Sequence, residues 1–233
     1  MKVWVFVEGE ADRIALETLW ESWRESLRTN GHGISVIPLD DKSRFFRKIG
    51  HRAAEKLRNN AADLVVGLPD LYPNAEYSST CFRHDGLDDL RICQARLVRA
   101  SLTEHFHMND GQAGQALERF FPTALKHDLE MLLLAAGEEL RAFLGTRDRL
   151  GGWRIPVEDQ NQTRPPKRIV EELFLTKSAK KRAYRDTKDA QAVLRRVRDI
   201  RSLIHIQNNQ VNCPVFKEML DWVGEKTGVS AYN

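Results

Sequence analysis

An α/β fold, built on a doubly wound and mostly parallel sheet with a C-terminal helical region, is what this 233-residue sequence predicts. Three short apolar runs, at 2–7, 34–39 and 63–68, carry the strand signal, and amphipathic stretches of helical period separate them. Strands that alternate with helices imply right-handed crossovers, parallel pairing and helices covering both faces. The length is enough to bury a substantial core and still carry a smaller helical extension.

The first run, KVWVFV, is rich in β-branched and aromatic residues and stops at Glu8-Gly9-Glu10, where glycine permits a sharp turn. From Asp12, read as an N-cap, Ile14, Leu16, Leu19, Trp20, Trp23 and Leu27 recur at helical spacing until Asn30-Gly31. Residues 34–39 form the second strand, and Phe45, Phe46, Ile49, Ala53 and Leu57 form the inner face of the next helix. Residues 63–68 are a third strand that ends at Pro69-Asp70. Residues 71–86 read as a long loop and 87–106 as a helix. Residues 120–126 read as a fourth strand, with Pro122 at its start or on an edge, and His127-Asp128-Leu129-Glu130 leads into an apolar helix at 131–136. A polar, proline-bearing connection at 158–166 precedes a helix opened by Lys167-Arg168, and 190–206 forms another. The predicted division is an α/β domain over residues 1–137 and a mainly helical, basic region over 138–233 that packs on it.

Composition narrows the functional classes. The chain is 42% hydrophobic and 30% charged, with no apolar run approaching the ~18 residues of a membrane helix. A soluble protein is expected, and the N-terminal apolar run is too short for a signal peptide. Three cysteines, Cys81, Cys93 and Cys213, give no disulfide framework and point to the cytoplasm. No Walker loop or dinucleotide glycine fingerprint occurs, which argues against intrinsic ATP hydrolysis. Charge is uneven: residues 160–201 carry thirteen Lys and Arg against five Asp and Glu, while residues 1–159 carry twenty-one against twenty-five. An acidic front and a basic back fit a polyanionic partner approaching an acidic centre.

Ligands of open parallel sheets collect at the carboxyl ends of strands, and three such ends deliver acids here: Glu8, Asp70, and Asp128 with Glu130. Hard divalent cations, Mg2+ or Mn2+, take one or two carboxylates plus water and phosphate oxygens. Glu8, Asp70, Asp128 and Glu130 are therefore candidate metal ligands, and Glu8 is also a candidate general acid or base. Lys167 is the candidate for stabilising charge on a transferring phosphate. Arg168, Lys180, Lys181 and Arg195 are candidate nucleic-acid contacts, and Asp12 and Glu10 are secondary members of the acidic group. The bland alternatives are turn and helix-terminal acids and a solvated basic face.

Val7-Glu8-Gly9-Glu10-Ala11-Asp12 after a first strand, with Asp70 after a third, resembles a Toprim domain, the fold of topoisomerases, primases and overcoming-lysogenization-defect (OLD) nucleases. The segments Asp70-Leu71-Tyr72-Pro73, His127 to Leu134, Arg164 to Ile169 and Cys213-Pro214-Val215-Phe216 resemble, in order, a bacterial family of Toprim-like proteins of unknown function. The resemblance implies a metal-dependent nuclease used in anti-phage defence, near an ATPase partner. Tyr72 departs from the Asp-x-Asp of the broader Toprim pattern, so Asp128 or Glu130 would have to complete the site. The rival reading is a non-catalytic module that senses nucleic acid or a phosphorylated ligand for an ATPase complex.

Overall fold

Alternate residues of the first strand face two different cores, and this sets the architecture. The computed structural model describes residues 1–72, 86–205 and 210–232. Its sheet contains β1 (Lys2–Val7), β2 (Gly33–Pro38), β3 (Leu64–Leu68) and β4 (Phe120–Pro122), all parallel, in the order β2-β1-β3-β4. The expected doubly wound α/β fold is present.

Val3, Val5 and Val7 join Val66 and Leu68 in one buried cluster with α1 (Glu10–Leu19) and α2 (Glu21–Thr29). Phe6 and Val65 enter a second cluster beneath α3 (Lys42–Asn59), α4 (Leu87–Ala100) and α5 (Asp110–Leu117). A sheet buried on both faces needs apolar residues at nearly every position, and all five residues of β3 are buried. The first cluster continues into the later helices: α6 (Glu130–Ala135), α7 (Gly137–Leu144), α8 (Pro166–Thr176), α9 (Asp186–Leu194), α10 (Ile200–Ile204) and α11 (Pro214–Thr227). Phe174, Val193 and Phe216 share it with Val3. No helix of the described residues is long and apolar enough to cross a membrane.

Several boundaries differ from the sequence reading. Asp12 does not cap α1; Gly9 does, and Asp12, one turn in, reaches back to accept from the Gly9 N–H at 2.9 Å. The helix expected across 12–27 breaks at Trp20, which is fully buried between Trp23 and Phe216. A π-helical turn, Ser101–His105, ends the segment read as a helix at 87–106. The expected fourth strand regularly pairs only over Phe120–Pro122, although Asp70 still bridges Leu125 beyond it. The helix read at 190–206 is interrupted: α9 ends at Leu194, and Asp199 accepts from the Arg201 N–H at 2.8 Å and starts α10 afresh. Pro166 opens α8, where its missing N–H leaves no intrahelical bond unmade. Most of the loop read at 71–86, with Cys81 and Pro73, lies outside the described residues.

Candidate functional site

Strand register builds the site. Val7 lies beside Leu68 on one flank and Pro38 on the other, so Glu8 follows β1 with the turns after β3 and β2 on either side. Asp70 follows β3 by two residues, and its backbone N–H donates to Glu8 Oε1 at 3.1 Å. The bridge between Asp70 and Leu125 then brings the 125–130 turn to the same edge. Glu130 is the first residue of α6 and only 4% exposed. Asp128 Oδ2 accepts from the backbone N–H of Lys167 at 3.3 Å, and Asp128 Oδ1 is buried without a hydrogen-bond partner.

Burial and mutual repulsion raise the proton affinity of this group. Glu8 is pushed up to about 7, by burial first and then by Asp12, against the lowering charge of Lys42. Asp70 is raised well above the ordinary range by burial and by the charges of Glu8, Asp12 and Asp128. Burial also raises Asp12, and it lifts Asp128 to about 6. Glu130 reaches about 7 through burial and the Asp128 charge, with Lys167 and the Tyr184 hydroxyl pulling it down. The Asp128 charge reaches Asp70, which joins the two halves of the row electrostatically.

Charge thus couples Glu8, Asp12, Asp70 and Asp128 to one another, and couples Asp128 in turn to Glu130 and Lys167. Lys167 Nζ is held by Asp186 at 2.6 Å. Glu10 stays outside the group, exposed and paired with Arg13. Arg168 is exposed, 3.6 Å from Glu172. Lys180 and Lys181 are exposed on the connection between α8 and α9. Arg195, just past α9, lines a groove between α9 and α1 with Arg13 and Arg24. Tyr72 is half-buried with its ring 5.5 Å from that of His127.

Two residues escaped the sequence reading. Lys42 opens α3 and lowers both Glu8 and Asp70, yet in the sequence it follows a strand end whose conspicuous charges are Asp40 and Asp41. Tyr184 stands beside Glu130 from a connection with no strand or helix signal, its ring packed on Phe174 at 5.0 Å.

Carboxylate oxygens are the donor type of a hard divalent cation, and the open Asp128 Oδ1 is one free acceptor of that kind. The donor chemistry fits Mg2+ or Mn2+. Among the described residues, no group of three or more His, Cys, Asp or Glu side chains is arranged so that it could hold a metal ion.

Fold and site together define a doubly wound, all-parallel α/β protein with a row of carboxylates along the carboxyl edge of its sheet. The chain belongs to the family described as a domain of unknown function (DUF4276), whose model matches residues 7–224. No curated protein matches it. Among solved structures, it is similar to the C-terminal region of the Xanthomonas campestris pv. campestris OLD protein, with 16% identity and a TM-score of 0.40 over 84% of this chain and 85% of that one. The C-terminal region of the Burkholderia pseudomallei OLD protein gives 17% identity and a TM-score of 0.39 over 82% and 86%. Likeness at this level describes general shape and transfers no residue role.

Proposed function

We propose that this chain is a Toprim-like nuclease that cleaves phosphodiester bonds of DNA or RNA with Mg2+ or Mn2+. The carrying observation is that Glu8, Asp70, and Asp128 with Glu130 follow three adjacent strands, with Asp12 beside Glu8 and Asp70 in charge, and that their proton affinities are raised. Mutually repelling carboxylates are stabilised by a bound cation, and strand ends of a parallel sheet are where such ligands sit. Glu8, Asp70, Asp128 and Glu130 would hold the cation. When bound, it would supply Lewis-acid polarisation of the phosphoryl oxygens and a water of lowered pKa. Glu8, with a pKa near 7, is suited to hold or release a proton at its carboxylate near neutral pH. Lys167 would set its charge against the phosphate once released from Asp186. Arg168, Lys180, Lys181 and Arg195 are exposed cations that would meet the nucleic-acid backbone. A role in bacterial anti-phage defence, in the cytoplasm and beside an ATPase, is part of the proposal and rests on the family resemblance alone.

The test is incubation of the protein with single- and double-stranded DNA and RNA in Mn2+ or Mg2+, beside Asp70→Asn. Cleavage by the native protein that Asp70→Asn loses by two or more orders of magnitude supports the proposal. Intact substrates in every native reaction contradict it. Tyr72 favours one second reading, a non-catalytic sensor of nucleic acid or phospho-ligand, because the position that carries the second Toprim acid is spent on packing against His127. Tight oligonucleotide binding with no cleavage and no need for a divalent cation would support that reading instead.

A further inference from the structure

The four strand ends form an ordered line, with one lysine at the β2 end and another, from α8, beside the acids that follow β4. Lys42 follows β2, Glu8 follows β1, Asp70 follows β3, and Asp128 and Glu130 follow β4 with Lys167 over them. Lys167 acts on Asp128 and Glu130, whereas the charge of Lys42 acts on Glu8 and Asp70.

The turn that delivers Lys42 is pinned on every side. The Leu39 N–H donates to Val7 O at 3.0 Å, and the Leu39 side chain is buried. Asp40 adopts a left-handed φ of 86° and pairs with Lys48 and Arg44. Asp41 caps α3 by accepting from the Arg44 N–H at 2.8 Å. Such a left-handed residue persists only where its surroundings over-determine it, as ion pair, cap and strand register do here. The half-buried Lys42 is thereby held at the β2 end of the carboxyl edge, where its charge acts on Glu8.

We propose that Lys42 engages one backbone phosphate at the β2 end of the carboxylate row while Lys167 faces another at the β4 end, so that the site takes an internal diester of a polynucleotide strand. This rests on the phosphodiester reading above and adds to it the substrate class and a binding residue. The two outer strands are three intervals apart, roughly 14 Å, which exceeds the span of one phosphate group. A mononucleotide fills one half of such a row; a strand fills both.

The test is fluorescence-anisotropy binding of a labelled single-stranded 12-nucleotide DNA in Ca2+, titrated with KCl, for the native protein, Lys42→Gln and Lys42→Arg. Loss of one phosphate contact lowers the slope of log affinity against log salt by about 0.7 and weakens binding about tenfold at low salt, while Lys42→Arg keeps the slope. A lysine that only neutralised Glu8 would leave that slope unchanged. A second measurement needs no variant: acetylation of Lys42 in the native protein is slowed by the oligonucleotide and much less by thymidine monophosphate. It decides alone if Lys42→Gln does not fold. An unchanged slope, or equal acetylation with and without DNA, overturns this inference while leaving the nuclease reading standing. A native protein that binds no oligonucleotide overturns both.

Discussion

The backbone N–H of Asp70 donates to the Glu8 carboxylate at 3.1 Å, locking the ends of two adjacent parallel strands together through a side chain that would prefer to be protonated. Glutamine keeps the accepting oxygen and removes the charge. Glu8→Gln is therefore expected to melt higher than the native protein at pH 8, by a few degrees for about 1–2 kcal/mol. The sign follows from linkage: Glu8, raised to about 7, contributes stability that is complete below its ordinary value of 4.5 and lost as pH rises through about 7. The Tm difference between variant and native protein should accordingly grow from pH 5 to pH 8. Thermal melts at the two pH values check this.

Divalent cations should act in the opposite direction. Glu8, Asp128 and Glu130, raised to about 7, 6 and 7, hold protons in the mildly acidic range and must lose them to take a cation. Millimolar Mn2+ is expected to raise Tm at pH 8 and to have little effect at pH 5. An equal shift at both pH values would point to binding elsewhere.

Asp189 is buried and would be raised by that burial, but hydrogen bonds from Arg182 at 2.6 and 2.7 Å and from the Arg185 backbone hold it below its ordinary range. Removing the guanidinium leaves a buried carboxylate without its main partner. Arg182→Ala is expected to lose about 3 kcal/mol at pH 7, measured by urea unfolding, and to lose less at pH 4. The same arginine lies over the Phe174 ring that supports Tyr184, so the connection carrying Tyr184 to Glu130 should loosen with it.

Gly67, the fourth of the five residues of β3, has no room for a side chain. A Cβ there would stand 2.0 Å from Oε1 of the fully buried Gln94, whose amide donates to Thr123 O at 2.8 Å. Gly67→Ala is expected to destabilise by about 1–3 kcal/mol, and Gln94→Ala in the same chain should recover part of the loss. A double-mutant cycle in urea measures the coupling.

Legibility followed physics that is local in sequence. Strands β1 to β3 were readable because burial on both faces demands continuous apolar runs, and Glu8 and Asp70 were readable because each ends one. The break at Trp20 was not, because it depends on Phe216, almost two hundred positions away. The break before α10 left only one clue, Asp199, whose capping role competes with helix continuation. Tyr184 reaches Glu130 from an irregular connection that no periodicity marks, and its position depends on Phe174 and on the Arg182 pair with Asp189. Lys42 could have been found by reading every strand end for cations as well as acids.

The central claim is that the strand-end carboxylates form a divalent-cation site. Calorimetric titration of Mn2+ and Mg2+ into the native protein, Glu8→Gln and Asp70→Asn at pH 8 tests it most directly, since it requires no knowledge of substrate. The account predicts a saturable heat for the native protein and its loss in both variants, each still folded. A native protein that takes up neither cation, or variants that bind as tightly as the native protein, would contradict it.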